Sequence, residues 1–148
     1  MNRIGIIGAM DEEVDILVEL MDIKETIEKA SLKFYKGTLE GKDIVLVRCG
    51  IGKVNSALCA QILISEFDVD AIVNTGVAGA LHSELDVLDM VISTDAIQYD
   101  VDTTAFGDPK GTIPRMESSV FVADEKLINA AYESSIKEMK SNKVLKGR

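Results

Sequence analysis

The sequence predicts an α/β fold, and three apolar runs that each end in a turn of small residues carry this prediction. The runs are residues 4–8, 44–47 and 71–75. Runs of this length are typical of strands buried inside a sheet, and a helical pattern follows each of the first two. Ligands collect at the carboxyl ends of strands in open α/β sheets, so a site is expected at the turns that follow these runs.

The first run leads into a helix that begins with three consecutive carboxylates, Asp11, Glu12 and Glu13. Apolar residues at positions 14, 17, 18 and 21 follow helical spacing and form the predicted core face. On that wheel Asp11 is the expected N-cap, Glu12 points away from the core, and Glu13 lies on the shoulder, where a side chain can line a cleft. Carboxylates at a helix start most often only cap the helix and suit its dipole, and that interpretation stays open here. If one of the three takes part in chemistry, the wheel favours Glu13.

The middle of the chain predicts a hairpin and two further turns of small residues. Residues 32–39 and 43–48 are the expected strands of the hairpin, whereas the polar residues 22–29 are predicted to end the first helix or lead away from it. The glycine-rich residues 49–53 form a strand-to-helix turn that can approach a ligand closely, although two glycines often serve a tight turn alone. The phosphate-loop and GxGxxG patterns are absent there. Residues 76–80 are the second small-residue turn.

The last third of the chain predicts a long loop, a helix and the beginning of a strand. Residues 97–116 contain both prolines, and their length and aromatic content favour a loop that covers a pocket or a partner subunit. Asp124 is a good N-cap for a helix to about residue 140, and residues 142–148 resemble half a strand. The sequence therefore predicts a single α/β domain, 1–148, truncated before further C-terminal strands and helices.

Composition and charge exclude several classes of protein. A net charge of -9 over 148 residues argues against nucleic-acid binding, which needs a basic patch. No apolar run approaches the ~20 residues of a membrane span, and no signal-peptide pattern is present. Two cysteines, Cys49 and Cys59, in such a chain predict a reducing, cytoplasmic location. The only histidine, His82, has no second histidine or cysteine nearby, so no metal site is predicted.

Four motifs in order resemble those of the 5′-methylthioadenosine/S-adenosylhomocysteine nucleosidases of the purine nucleoside phosphorylase superfamily. They are IGIIGAMDEEV, CGIGKVNSA, NTGVAGAL and DTTAFG. The resemblance implies a phosphorylase/hydrolase-like fold, with a mixed central β-sheet flanked by helices, and no cofactor. It implies hydrolysis of the N-glycosidic bond of methylthioadenosine, S-adenosylhomocysteine or 5′-deoxyadenosine, which releases adenine and the thioribose. It also implies a homodimer for the complete protein.

The resemblance further assigns roles to individual residues. It implies that Glu13, which the helical wheel also favours, holds the attacking water. The substrate-binding residues that it implies lie around the ribose, the sulfur-side pocket and the purine: Ala9, Met10, Ile51, Ala78 and Gly79. The segment that a neighbouring subunit inserts over the alkylthio group corresponds to Thr103, Phe106 and Pro114.

The chain departs from the family pattern in three respects. One of them is Val87-Leu-Asp89, where many members have VGD before the next strand. Val77 occupies a position that is often serine. The aromatic residue that stacks on adenine, the Met-Glu pair that grips the ribose and the aspartate that protonates the purine have no counterpart in these 148 residues. Glycoside hydrolysis uses an acid beside the group that activates water, and general acid catalysis contributes roughly 10²–10⁴-fold. This chain by itself is therefore predicted to be weakly active or inactive.

Two alternatives remain at this point. One is a purine nucleoside phosphorylase of the same fold, and the other is a non-catalytic purine-binding fragment. Related phosphorylases commonly carry an arginine where this chain has Asn74 and Thr75, and phosphate recognition generally uses arginine. Hydrolysis is therefore favoured over phosphorolysis.

Overall fold

A computed structural model describes residues 2–148, which separate into two compact units that meet in sequence between Gly79 and Ala80. The first unit contains helices α1 (Asp11–Leu20) and α2 (Lys53–Phe67), and strands β1 (Arg3–Gly8), β2 (Asp22–Lys29), β3 (Leu32–Leu39), β4 (Lys42–Arg48) and β5 (Ala71–Asn74). The second contains helix α3 (Glu125–Glu138), and strands β6 (Met90–Ser93), β7 (Asp95–Ile97), β8 (Val120–Val122) and β9 (Val144–Gly147). That the whole chain is one domain stays a prediction. Within the described part of the chain, no helix is both long and apolar enough to cross a membrane.

The first unit is built on one five-stranded mixed sheet with the strand order β2-β3-β4-β1-β5. β1 lies in the middle and pairs in parallel with β4 and with β5, whereas β2, β3 and β4 form an antiparallel meander. The register places Gly8 opposite Arg48, and Ile7 opposite Asn74. The carboxyl ends of β1, β4 and β5 therefore reach the same edge of the sheet. This confirms the predicted α/β fold with a mixed central sheet.

Strand β4 is buried on both faces, as its continuous apolar run predicted. Its alternate side chains enter two different clusters. Ile44 and Leu46 pack with Val14 of α1 and with Met21, which caps the end of that helix, on one face of the sheet. On the other face, Val45 and Val47 share a cluster with residues of α2, namely Cys59, Leu63 and Phe67. The two helices thus cover opposite faces of the sheet.

Residues 22–29 lead away from α1, as predicted, but they do so as the edge strand β2, which the sequence analysis did not predict. Nearly all of this strand is exposed, and of its side chains Ile27 packs against the core cluster. Charged side chains instead pair with those of β3, with Lys36 Nζ 3.6 Å from Glu25 Oε2. Charged edge strands resist pairing with other chains, so a polar sequence is compatible with a strand at this position.

The second unit contains two strand pairs and one helix. β6 pairs in parallel with β9, and β7 pairs antiparallel with β8. Asp124 caps α3, since its Oδ1 accepts the N–H of Leu127 at 3.0 Å, and this confirms the predicted N-cap. The strand expected at residues 142–148 is present as β9.

Candidate functional site

Three turns lie side by side at the carboxyl edge of the parallel strands, as the sequence predicted. They follow β1, β4 and β5. The N–H of Cys49 donates to the carbonyl of Gly8 at 2.9 Å, and the N–H of Thr75 donates to the carbonyl of Ile7 at 2.9 Å. These hydrogen bonds extend the parallel pairing beyond the strands. Backbone from three separate segments therefore surrounds the start of α1.

Glu13 is the side chain that joins these turns. Its Oε2 accepts the N–H groups of Ala9 at 2.6 Å and Met10 at 3.1 Å, within the turn after β1. Its Oε1 accepts the N–H of Val77 at 2.9 Å, in the turn after β5. The hydrogen bond from Val77, followed by that from Ala9, lowers the pKa of Glu13 below its ordinary value, although partial burial opposes this shift. Glu13 is therefore a carboxylate held in the ionised state.

The prediction that Asp11 is the N-cap of α1 was wrong, because Met10 holds that position. Met10 has an extended backbone, with φ −128° and ψ 161°, and Asp11 is already the first helical residue. The capping oxygen comes from Glu13, which reaches back to the N–H of Met10. Asp11 instead pairs with Arg48, with 2.8 Å between Oδ1 and Nε.

Capping explains only part of the position of Glu13. The bonds from Oε2 to the turn before the helix satisfy the open N–H groups of a helix start. The bond from Oε1 reaches a residue 64 positions away, which capping does not require. A carboxylate oxygen offers about two acceptor positions. Among residues 2–148, Oε2 has two N–H partners and Oε1 has one, which leaves Oε1 an acceptor position for a water molecule or a hydroxyl group.

The other predicted substrate-binding residues lie on the same three turns. Ala9 and Met10 are half-buried beside Glu13. Ala78 and Gly79 are exposed and directly follow Val77. Ile51 is 74% exposed in the turn after β4, where its carbonyl accepts a hydrogen bond from Asn55 Nδ2 at 2.8 Å. Their roles toward a substrate stay predictions.

Two backbone features of the site were missed by sequence reasoning. The N–H of Val77 is the main cause of the lowered pKa of Glu13, and Gly76 lies directly against the Glu13 carboxylate. The run of small residues at 76–80 drew attention to this turn. Which of its N–H groups meets Glu13 depends on the register of β5 against β1, which the local sequence does not contain.

The residues assigned to a neighbouring subunit lie in the second unit, within a loop held by its own hydrogen bonds. Thr103 Oγ1 donates to the carbonyl of Thr112 at 3.3 Å, and Thr103 precedes a 3₁₀ turn formed by Thr104–Phe106. Phe106 is 88% exposed, and Pro114 is also exposed. Their contact with a second subunit stays a prediction.

Comparison with known proteins identifies the family. A family model described as the phosphorylase superfamily matches residues 3–147. The 5′-methylthioadenosine/S-adenosylhomocysteine nucleosidase of Anoxybacillus flavithermus is 46% identical over 145 residues, which are 98% of this chain and 62% of that protein. That of Staphylococcus carnosus is 45% identical over 94% of this chain and 60% of its own length. The chain thus spans about 60% of the length of these curated relatives.

Solved structures agree with this assignment. The nucleosidase of the same name from Neisseria meningitidis, in complex with methylthio-immucillin-A, has a TM-score of 0.92 and 37% identity, over 99% of this chain and 63% of that one. The nucleosidase from Colwellia psychrerythraea, in complex with adenine, has a TM-score of 0.89 and 42% identity, over 97% of this chain and 59% of that one. These matches confirm the resemblance found in the four motifs. Because the family model covers nearly the whole sequence, the chain belongs to the phosphorylase superfamily.

Proposed function

We propose that the protein hydrolyses the N-glycosidic bond of 5′-methylthioadenosine, S-adenosylhomocysteine or 5′-deoxyadenosine, and so releases adenine and the thioribose. The observation that carries this proposal is the Glu13 carboxylate, held by three N–H groups where three parallel strands end. The names of the relatives, and the adenine and methylthio-immucillin-A in two related structures, support the substrate class.

The geometry of Glu13 suits the placement of an attacking water. Cleavage of a glycosidic bond passes through a state with oxocarbenium character, in which the sugar carries positive charge. A water held by Oε1 attacks the anomeric carbon and gives its proton to the carboxylate, while the electron pair of the breaking bond leaves with adenine. Adenine takes a proton from a general acid other than Glu13. The lowered pKa of Glu13 makes it a weak base, but it keeps the negative charge that stabilises the cationic sugar. A weak base is sufficient because the electrophile is already strongly activated.

The arginines of the first unit favour water over phosphate as the nucleophile. Arg48 lies at the same edge of the sheet as Glu13, but its guanidinium pairs with Asp11. Arg3 pairs with Asp43 at 2.9 Å and donates to the carbonyl of Phe67 at 2.7 Å. Both are therefore engaged in contacts within the unit, and phosphate recognition commonly uses arginine. This supports hydrolysis rather than phosphorolysis.

The proposal includes a homodimer located in the cytoplasm. In it, Thr103, Phe106 and Pro114 of one subunit cover the alkylthio group bound by the other. An aromatic side chain as exposed as Phe106, on a loop fixed by internal hydrogen bonds, supports this arrangement. One such bond joins the N–H of Gly111 to the carbonyl of Val101 at 2.8 Å. A rigid loop that presents an apolar tip loses little entropy when a partner covers it.

The test is adenine release by the protein expressed from its full reading frame. Methylthioadenosine, S-adenosylhomocysteine and 5′-deoxyadenosine are each supplied with and without phosphate. We expect release that does not depend on phosphate and that falls by at least roughly 100-fold in Glu13→Gln. The neighbouring exposed carboxylate supplies the control, since Glu12→Gln should keep wild-type turnover. Release that requires phosphate would instead identify a phosphorylase, and no release at all would leave purine binding without turnover.

A further inference from the structure

Gly76 lies closer to the Glu13 carboxylate than any side chain could. A Cβ atom built on Gly76 would lie 2.2 Å from Glu13 Oε1, 2.6 Å from Cδ and 3.0 Å from Oε2. The three nearest atoms thus all belong to the carboxyl group of one residue. Such distances are far shorter than van der Waals contact, so a side chain and the observed carboxylate position exclude each other.

The requirement for glycine at this position is one of space and not of backbone conformation. Glycine is often needed where φ is positive, but Gly76 is absent from the positive-φ residues of the described chain, which include Gly50 and Gly52. Alanine at position 76 would therefore not incur the strain of a positive φ. What it could not do is leave room for the Glu13 carboxylate.

A second glycine, Gly8, lies against the other end of the Glu13 side chain. A Cβ built on Gly8 would lie 2.6 Å from Val14 Cγ1 and 3.1 Å from Glu13 Cβ. Gly8 ends β1, and Gly76 follows β5, the strand that pairs with it. The base of Glu13 thus rests on one glycine and its carboxylate on the other. The side chain crosses the sheet edge between two segments that present only backbone to it.

We propose that Gly76 is the positioning residue for Glu13, because its lack of a side chain allows the carboxylate to lie against the turn after β5 and to accept the N–H of Val77. Replacement of Gly76 by alanine moves the carboxylate away from that N–H, while Ala9 and Met10 can still hold Oε2. Oε1 then loses the bond that fixes its direction. This proposal extends the proposed function. Only the effect of Gly76 on kcat rests on that function, whereas its effect on the position of Glu13 does not.

The first test measures the Glu13 carboxylate directly and does not need enzymatic activity. The carboxyl carbon of Glu13 is followed by ¹³C NMR as a function of pH in the full chain, and its resonance is assigned by its absence in Glu13→Gln. The bond from Val77 is the main cause of the lowered pKa, so Gly76→Ala should raise this pKa toward its ordinary value of 4.5.

Two glycine variants serve as matched controls. Nothing lies within 4 Å of a Cβ built on Gly147, so Gly147→Ala tests the substitution alone. A Cβ on Gly5 would meet Leu63 Cδ1 at 3.0 Å, so Gly5→Ala disturbs the core without touching Glu13. Neither control should change the pKa of Glu13. An unchanged pKa in Gly76→Ala, or an equal change in Gly5→Ala, would overturn the proposal.

The second test is a double-mutant cycle on thermal unfolding, which also covers the case of a variant that fails to fold. Gly76→Ala should lower Tm by several degrees in the wild-type background, as overpacking does, but by much less in Glu13→Ala, where all three clashing atoms are gone. If Gly76→Ala alone does not fold, the double variant should still fold. Equal losses in both backgrounds, or two unfolded variants, would show that Gly76 meets something other than Glu13 and would contradict the proposal.

The kinetic arm separates this inference from the proposed function. In an active protein, Gly76→Ala should lower kcat by about 10²-fold, which is typical of a misplaced reacting group, with a smaller effect on KM. If the wild type releases no adenine, the proposed function fails while the NMR result for Gly76 still stands. If the wild type is active and Gly76→Ala keeps full kcat, the inference fails while the proposed function stands.

Discussion

Arg48 Nε lies 2.8 Å from Asp11 Oδ1, and this ion pair ties the end of β4 to the first turn of α1. It also separates the roles of three carboxylates that are adjacent in sequence. Asp11 faces a guanidinium, Glu12 is exposed, and Glu13 faces backbone N–H groups. Of the three, Glu13 is the carboxylate proposed to hold the attacking water, and its hydrogen-bond partners carry no formal charge.

The first prediction compares Asp11→Asn with Glu13→Gln. The Arg48 and Asp11 side chains are 51% and 65% exposed, so their ion pair should contribute less than about 1 kcal/mol to the free energy of unfolding. Asp11→Asn should keep adenine release within about twofold of the wild type, whereas Glu13→Gln removes the group proposed to hold the water and lowers release by roughly 10²–10⁴-fold. Urea unfolding and an adenine-release assay measure the two effects. Equal losses of turnover in both variants would remove the distinction between these carboxylates.

The second prediction concerns stability at acid pH. The pKa of Glu13 is lower in the folded chain than its ordinary value of 4.5, chiefly because of the Val77 N–H. Its ionised form therefore stabilises the folded state above the unfolded pKa, and this contribution is lost as the pH falls through the folded pKa. The difference in unfolding free energy between the wild type and Glu13→Gln should thus be largest at neutral pH and shrink below pH 4.5. Urea titrations at several pH values measure it, and a difference that grows on acidification would contradict the assigned sign.

Sequence patterns predicted those features of the fold that depend on local periodicity. The continuous apolar run of β4 predicted burial on both faces, and Ile44 and Val45 indeed enter different clusters. Helical spacing also placed Glu13 on the shoulder of α1. Strand β2 was missed because an edge strand buries little, and its polar residues resemble a helix end or a loop.

Features that depend on pairing between distant segments were not predictable in the same way. Aspartate is a favoured residue type at N-caps, yet Met10 rather than Asp11 is the N-cap, because Glu13 supplies the capping oxygen from within the helix. The contacts of Val77 and Gly76 with Glu13 require β5 to lie beside β1 in one particular register. A one-residue slip would bring a different N–H to the carboxylate.

The third prediction is that neither cysteine reacts in the folded protein at neutral pH. Burial raises the pKa of Cys59 to about 12, and burial is also the main cause of the raised pKa of Cys49. A thiol with a pKa of about 12 has roughly 10⁻⁵ of its population as the reactive thiolate at pH 7. Iodoacetamide followed by mass spectrometry should give no adduct in buffer and two in urea. The Cys59 contribution to stability should be complete below its unfolded pKa near 9 and be lost as the pH rises toward about 12.

A rapid single adduct in the folded chain would contradict this prediction. Cys49→Ala then shows which thiol has reacted, because an adduct that persists in this variant must be on Cys59.

The fourth prediction concerns Gly37, where β3 passes a bulge in β2. Gly37 pairs with Ile23, and the register shifts between Ile23 and Glu25. A Cβ on Gly37 would lie 2.2 Å from the carbonyl oxygen of Asp22 and 2.9 Å from Ile23 Cα. Both are backbone atoms and cannot rotate away, so Gly37→Ala should lower the free energy of unfolding by about 1–3 kcal/mol.

The damage from Gly37→Ala should be local to the outer hairpin. Amide hydrogen exchange should show faster exchange in β2, while amides of β1 keep more of their protection. Gly147→Ala is again the matched control, because its Cβ meets nothing within 4 Å. Uniform loss of protection in both strands would mean that the outer hairpin does not open separately from the rest of the sheet.

The fifth prediction tests the cap of α3 in the second unit. Asp124 Oδ1 accepts the N–H of Leu127 at 3.0 Å, and Asp124→Ala leaves that donor without its side-chain partner. The free energy of unfolding of the second unit should fall by about 0.5–2 kcal/mol, whereas Asp124→Asn keeps an acceptor and should cost much less. Exchange rates of amides in α3 and in β1 report the two units separately in one sample. Because the cap acts on α3 alone, protection should fall there and stay unchanged in β1, and an equal fall in both would show that the two units unfold together.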